Sequence, residues 1–179
     1  MKMGTESLLF GVHQFIWHPI TVTLAWIELY HKAPTLKEFV CIVIHDWGYF
    51  GCPDMDGEKG RRHPYLGARI AMAFLDNMGE GEYHNLCLLH SREVANMFGV
   101  KPSKLCWADK LSVKYDPWFL YLPRAILSGE IKEYRKSASD FGAVPLSASH
   151  YTWFKWGRDH MMKKALDRDA RPSYTEGTQ

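Results

Sequence analysis

The sequence lacks paired cysteines, membrane-length apolar runs and any large excess of one charge. Its four cysteines show no CxxC spacing, and Cys41, Cys87 and Cys106 stand among apolar residues, which is typical of small buried side chains. No stretch approaches the roughly 18 apolar residues of a membrane span, and residues 1–10 lack the apolar region of a signal peptide. These absences exclude a disulfide scaffold and a membrane partner, and they predict a soluble, cytoplasmic protein.

The charge balance is close to neutral, because the chain of 179 residues carries a net charge of +2 with histidine neutral. Such a balance gives no strong signal for nucleic-acid binding. Hydrophobic residues make up 46% of the chain, which is enough for one core. We therefore expect a single domain over residues 1–170 and a polar, disordered tail at 171–179. The aromatic stripe at 118–122 is expected in the core or at the contact of a homo-oligomer.

Alternating strand patterns are nearly absent, whereas helical spacing recurs along the chain. His18-Pro19 predicts a helix start, because proline is tolerated in the first helical turn. Thr35 and Glu38 form a capping box for a buried helix. The elements predicted along the chain are helices at 18–30, 39–46, 63–77, 83–98, 102–113, 117–127 and 147–170, with a solvated segment at 130–137. The predicted fold class is therefore all-α.

Nine histidines are an unusual number for a chain of this length, and several of them suggest a metal site. Six candidate ligands each lie on or beside a predicted helix with apolar neighbours: His18, His45, Asp46, His63, His90 and Asp109. An ionised aspartate is rarely buried unless it is paired or bound to a metal. Helical bundles build such sites from facing helices, and six ligands exceed a tetrahedral zinc site. The sequence therefore predicts two metals that share Asp46 as a bridge.

The ligand types restrict the metal. Imidazole together with carboxylate suits transition metals rather than calcium, which prefers oxygen alone. We expect two divalent ions, iron or manganese first, with cobalt, nickel and zinc as alternatives. Two other histidines compete for ligand positions, since His13 is a rival of His18 and His84 is a rival of His90. The remaining three are expected at the surface or in structural roles: His31, His150 and His160.

The order His…His-Asp…His…His…Asp resembles the HD-domain superfamily of metal-dependent phosphohydrolases. The resemblance spans residues 18–113 and includes more than the ligands. The motifs that carry it are HPITVTLA at 18–25, IHDWGY at 44–49, HPYLGAR at 63–69, LLHSR at 88–92 and WADKLS at 107–112. The second and the last are similar to the family's HDxGY and ADK(L/I) motifs. The two middle histidines are typical of members with a binuclear site.

This resemblance implies an HD-type helical bundle with a metal site in its core. It implies one metal held by His18, His45, Asp46 and Asp109, and another held by Asp46, His63 and His90. The implied activity is cleavage of a phosphate ester or anhydride of a small nucleotide-like substrate. A hydroxide that bridges the two metals is the implied nucleophile, and Asp46 is the catalytic ligand that positions it.

Two other functions stay open at this stage. Some HD-fold proteins with the same six ligands are mixed-valent di-iron oxygenases, which act on a small polyol or phosphonate. The ligand set cannot separate this chemistry from hydrolysis, because one set of ligands supports both. The other alternative is a non-catalytic domain that binds a nucleotide or a protein partner.

Six residues close to the ligands in sequence are candidates for substrate binding: Arg92, Lys110, Arg62, Lys59, Tyr49 and Trp47. The four cations suit a phosphate, and an arginine can bind it through two hydrogen bonds. Arg61 lies in the same loop as Lys59 and Arg62. Three roles stay open for the two aromatic rings, which are stacking on a base, covering the site and packing in the core.

Overall fold

The computed structural model describes residues 1–167, where the chain forms helices and no strand. Its ten α-helices are α1 (Met3–Phe10), α2 (Trp17–Tyr30), α3 (Leu36–Ile44), α4 (Pro64–Phe74), α5 (Glu82–Leu88), α6 (Arg92–Met97), α7 (Lys104–Ser112), α8 (Trp118–Leu127), α9 (Glu130–Asp140) and α10 (His150–Leu166). Short 3-10 helices lie at Trp47–Tyr49, Gly60–Arg62 and Val113–Tyr115. The all-α prediction is confirmed. The predicted tail at 171–179 lies outside the described residues.

The main core packs α2, α3 and α7 against α4 and α5. Its centre includes Trp26, Ile42 and Leu105, whose side chains are completely buried. Burying a side chain such as leucine or isoleucine contributes about 1.5–3 kcal/mol relative to leaving it exposed. This core holds together the helix ends on which the predicted ligands lie. None of the helices in residues 1–167 is both long enough and apolar enough to cross a membrane.

The predicted capping box begins α3. Thr35 Oγ1 accepts a hydrogen bond from the Glu38 backbone N–H at 3.3 Å, and Glu38 Oε2 accepts one from the Thr35 N–H at 2.7 Å. These two bonds satisfy N–H groups that the first turn leaves without partners. The helix ends at Ile44, two residues earlier than predicted, with His45 as its C-terminal cap. The His-Asp pair therefore lies just past the last turn of a buried helix.

The predicted helix at 83–98 is wrong, because this segment forms two helices. α5 ends at Leu88 and α6 begins at Arg92. Ser91 is the N-terminal cap of α6, and its side chain accepts a hydrogen bond from the Val94 N–H at 3.4 Å. A serine in this role favours a new helix start over continuation of the old one. His90 thus lies in the break between the two helices.

The segment 130–137, which is predicted to be solvated, is instead partly buried in the structure. It belongs to the amphipathic helix α9, which buries Glu130 and Ile131. A second apolar cluster joins α8, α9 and α10 through Leu122, Ile131 and Phe154. These three helices form a layer beside the main core, and α10 packs directly on α7.

Candidate metal centre

The structure brings all six predicted ligands together, although they come from different elements. The N-terminal turn of α2 supplies His18, the end of α3 supplies His45 and Asp46, and the start of α4 supplies His63. The remaining two lie in the break after α5 and within α7: His90 and Asp109. Two groups of these side chains have ligand atoms within 4.8 Å of one another. The first ligand group is His18, His45 and Asp46, and the second ligand group is Asp46, His63 and His90.

Asp46 belongs to both groups because its two oxygens face different histidines. Its Oδ2 atom lies 3.2 Å from both His18 Nε2 and His45 Nε2. Its Oδ1 atom lies 3.5 Å from both His63 Nε2 and His90 Nε2. The sixth residue, Asp109, extends the first ligand group, with Oδ1 at 3.3 Å from His18 Nε2. This arrangement is the one expected of a carboxylate that bridges two cations.

Several ligand atoms lack the hydrogen bonds that buried polar atoms normally make. His18 Nε2, His45 Nε2 and Asp46 Oδ2 are buried and have no hydrogen-bond partner within residues 1–167. In the second ligand group, His63 Nε2 lies only 2.9 Å from His90 Nε2. Unpaired nitrogen and oxygen atoms that converge in this way fit a bound cation. The side chains in the described range can therefore hold metal ions.

Backbone carbonyls fix the histidine rings in the orientation that a metal needs. Each ring places Nδ1 beside the carbonyl three residues earlier: His45 beside Ile42 at 2.7 Å, His63 beside Gly60 at 2.7 Å and His90 beside Cys87 at 2.5 Å. A carbonyl oxygen only accepts, so Nδ1 carries the proton and donates it. The Nε2 lone pair on the other side of each ring is then available to a metal, as in most histidine-ligated sites.

Gly48 allows the His-Asp pair to approach the second ligand group. A Cβ atom at this position would lie 2.0 Å from the His63 carbonyl oxygen. The next residue, Tyr49, stacks its ring on the His63 imidazole, with centroids 4.0 Å apart and planes 13° apart. The glycine thus permits a close backbone contact, and the tyrosine holds the ring in place.

All of the predicted ligands except His45 line a cavity of about 490 Å³. Three of the six predicted substrate-binding residues line it, namely Tyr49, Arg92 and Lys110. Among the described residues that form its wall, the other three do not occur: Trp47, Lys59 and Arg62. Arg62 is instead largely exposed and pairs with Glu58 at 3.0 Å. Arg61 lines the cavity in its place, because the 3-10 helix at 60–62 turns successive side chains in different directions.

The rival histidines have different surroundings. His84 lies on α5, where its Nδ1 contacts Asn85 Oδ1 at 3.2 Å. His13 lies beside the ligands, with its ring centroid 5.4 Å from that of His18. Its Nδ1 is 3.1 Å from Glu130 Oε2, however, so a carboxylate holds it from outside the ligand groups. Both His13 and His160 line the cavity. For His160 we expected a position at the surface or a structural role.

Glu130 is a buried residue next to the site, in contact with His13, that the sequence did not indicate. It accepts hydrogen bonds from the Val12 N–H at 3.0 Å, the Ser128 hydroxyl at 2.6 Å and the Tyr134 hydroxyl at 2.9 Å. These donors, with His13, compensate the cost of burying a charged carboxylate. The only sequence signal is the apolar spacing of Ile131 and its helical neighbours, which places Glu130 on a buried face without giving its partners.

The pKa shifts of the histidines differ between the two ligand groups. Burial opposes the charge of His18, but the carboxylates of Asp46 and Asp109, 3.2 and 3.3 Å from its Nε2 atom, outweigh this effect and raise the pKa of His18 to about 10. Burial and the neighbouring His90 lower the pKa of His63 to about 3. Burial also opposes ionisation of Asp46, yet the surrounding imidazoles hold the pKa of this carboxyl well below its usual range. At neutral pH the protein thus presents a carboxylate beside a neutral His63.

These pKa shifts predict how the stability of the metal-free protein depends on pH. The pKa of His18 is higher in the folded chain than its ordinary 6.5, so its stabilising contribution is complete below pH 6.5 and is lost as the pH rises toward 10. The pKa of His63 is lower in the folded chain, so stability is lost as the pH falls from 6.5 toward 3. We expect maximal stability near pH 6.5, with losses of about 1 kcal/mol or more on either side.

Urea unfolding in a chelator at pH values of about 5, 6.5 and 8.5 measures this profile. The variant His18→Ala should flatten the alkaline side, and His63→Ala should flatten the acidic side. A profile that is flat in the wild-type protein would contradict the charge distribution described above. Metal affinity should also rise with pH, because a metal must displace the proton from His18.

No family model, no curated protein and no solved structure matches the chain.

Proposed function

We propose that the protein is a metal-dependent phosphohydrolase of the HD type with two divalent cations. The observation that carries this proposal is the position of Asp46, whose two carboxylate oxygens face two different pairs of histidines. A carboxylate shared between two ligand groups suits a two-metal site, in which the cations lie about 3.5–4 Å apart. The unpaired buried atoms of the first ligand group and the close approach of His63 Nε2 to His90 Nε2 in the second support the same proposal.

The residues for each cation follow from these contacts. His18, His45, Asp46 and Asp109 would hold one cation, and Asp46, His63 and His90 would hold the other. When bound, such a pair of cations, for example Fe or Mn, activates water for attack and neutralises charge on a phosphoryl group. The protein supplies a bridging carboxylate that stays ionised, histidines with fixed tautomers and a cavity in which the substrate is held.

Cations and aromatic rings in the cavity support a small phosphorylated, nucleotide-like substrate. Lys110 and Arg92 line the cavity beside the ligands and provide donors for phosphate oxygens. The rings of Trp153, Phe154 and Trp156 line it as well. A cavity of about 490 Å³ lies within the common range for small-molecule sites. Its mixture of cations and rings is suited to a molecule with an anionic part and a flat part.

Metal analysis followed by a substrate screen tests this proposal. The protein is purified without oxygen, its metal content is measured, and phosphate release from nucleotides is assayed with manganese, cobalt or iron. We expect two metals per chain, phosphate release that a chelator stops, and a melting temperature that rises with the metal, because a ligand that binds only the folded state stabilises it.

Other outcomes would contradict the proposal and assign the site differently. Oxygen consumption with a small polyol or phosphonate, without phosphate release, would identify the di-iron oxygenase alternative. A folded protein that binds no metal and is inactive in both assays would favour a binding domain.

A further inference from the structure

One wall of the cavity is built by α10, outside the segment that carries the ligands. We name six residues of this helix the α10 wall, and all of them line the cavity: Trp156, Gly157, Arg158, His160, Met161 and Lys164. Trp156, His160 and Lys164 are four residues apart, so they form one stripe along the helix. They are partly buried, whereas Lys155, on the same helix, is exposed.

The α10 wall is positively charged. It contributes Arg158 and Lys164 to the cavity, and Arg92 of α6 lines the same space. Burial lowers the pKa of His160, and the positive charges of Lys164 and Arg92 near this ring lower it further. The Nη2 atom of Arg158 lies 3.5 Å from Asp159 Oδ1, whereas its Nε atom is buried and has no hydrogen-bond partner in the part of the chain that the structure describes. Like charges and an unused donor together indicate that this wall is built to receive an anion.

Gly157 provides room beside these cations. Glycine in the middle of a helix is destabilising, because it loses more backbone freedom on folding than alanine does. A Cβ atom at Gly157 would meet no heavy atom of the described residues within 4 Å, so no protein neighbour requires the glycine. The space in front of it belongs to the cavity. A ligand that contacts the helix backbone would explain why this position has no side chain.

We propose that the α10 wall binds a second phosphate group of the substrate, separate from the phosphate at the ligand groups. The inference rests on the proposed function, since that function assigns the first phosphate to the metals, Lys110 and Arg92. Arg158 offers a planar set of donors that matches a phosphate, and Lys164 adds a compact charge. The substrate class is therefore an organic bisphosphate, whose two phosphates stand on different parts of the molecule.

The roles of the two phosphates differ chemically. The phosphate beside Asp46 and its histidines is the one that reacts. The phosphate on the α10 wall stays attached to the substrate and supplies binding energy. Charge-assisted hydrogen bonds of this kind are roughly twice as strong as neutral ones, so losing the second phosphate should weaken binding by about tenfold or more.

Binding of adenosine 3′,5′-bisphosphate and adenosine 5′-monophosphate to the full-length protein tests the proposal. Isothermal titration calorimetry is done in two arms, one with manganese and one with a chelator. The chelator arm prevents turnover of the nucleotide. We expect the bisphosphate to bind about tenfold more tightly or better. The double variant Arg158→Gln/Lys164→Gln should remove this preference, and the matched variant Lys155→Gln, at an exposed position on the same helix, should keep it.

Equal affinities in the wild-type protein, no measurable binding of either nucleotide, or a preference that survives the double variant would overturn the second phosphate site. The chelator arm separates this inference from the proposed function. A preference for the bisphosphate without any metal-dependent phosphate release would refute the hydrolase and leave the site intact. Metal-dependent release of phosphate with no preference for the bisphosphate would support the hydrolase and refute the second phosphate site.

Substitutions at Gly157 supply a second test, and loss of folding cannot account for its expected result. Gly157→Ala should raise the melting temperature, because alanine is the better helix former and its Cβ finds open space. Gly157→Leu, which fills the space, should weaken binding of the bisphosphate by about tenfold or more, since overfilled sites resist an added group. Unchanged affinity in Gly157→Leu would show that the ligand does not approach this part of α10.

Discussion

Replacement of Asp46 by asparagine is expected to abolish metal-dependent phosphate release and to remove both cations together. Asparagine keeps the size of the side chain but loses the negative charge and one of the two oxygens. Since Oδ2 faces His18 and His45 while Oδ1 faces His63 and His90, either orientation of the amide places an N–H₂ group against one histidine pair. We expect a loss of about a thousandfold or more in kcat/KM, which corresponds to about 4 kcal/mol.

Metal content distinguishes this bridging role from that of an ordinary ligand. Asp46→Asn should lose both metals, whereas His63→Ala should lose mainly the metal of the second ligand group. The exposed aspartate Asp140, which pairs with Lys136 on the surface, provides the matched control, and Asp140→Asn should retain both metals and full activity. Two tightly bound metals in Asp46→Asn would contradict the assignment of a shared carboxylate.

The same variant should fold without metal, so its inactivity is not a failure of folding. The metal-free wild-type protein gains from contacts between Asp46 and the charged form of His18, and these contacts weaken in the variant. Its melting temperature should therefore fall in a chelator, and the rise that manganese produces in the wild-type protein should disappear. Circular dichroism measures both effects on one sample.

The sequence predicted the helical class and the candidate ligands because both leave local signals. Helix starts at His18 and Thr35 depend on residues within one turn, and the structure has both. The six candidate ligands stand beside apolar helix segments, and the structure brings them together. Whether they bind metal stays a prediction, but their convergence follows from the way in which the main core packs α2, α3, α4 and α7.

Contacts between distant segments left no such signal. Glu130 accepts a hydrogen bond from Val12, 118 positions away in the chain, and no local pattern encodes that pairing. The helix break at His90 was missed because the apolar spacing continues across it, although Ser91 is a good N-terminal cap. The α10 wall was missed for the same reason as Glu130: its charges gain meaning only when α10 packs beside α7.

Introducing a methyl group at Gly48 is expected to be the most damaging conservative change near the site. A Cβ atom there would lie 2.0 Å from the carbonyl oxygen of His63 and 2.7 Å from both its carbonyl carbon and its Cα. All three are backbone atoms, so no side-chain rotation can relieve the contact. We expect Gly48→Ala to lower the free energy of unfolding by about 3 kcal/mol, at the upper end of the cost of overpacking.

Urea unfolding and thermal melting measure this loss, and for a chain of this size the melting temperature should fall by roughly 10 °C. Gly51 provides the control, because it has a φ of +80° and open space around its Cβ position. Gly51→Ala therefore tests backbone strain without crowding. This strain should lower the free energy of unfolding by only about 1 kcal/mol. Equal losses in the two variants would mean that the close approach to His63 is not what requires a glycine at position 48.

The metal site should report the same contact independently of stability. Crowding at Gly48 displaces the His63 backbone, and with it the ring that stacks on Tyr49 and faces Asp46 Oδ1. His18 and His45 lie on the other oxygen of Asp46, and the three atoms nearest the added methyl group all belong to His63. At a temperature where the variant and the wild-type protein are both folded, Gly48→Ala should therefore bind one metal per chain, whereas the wild-type protein should bind two. Loss of both metals would instead indicate that the two ligand groups form as a single unit.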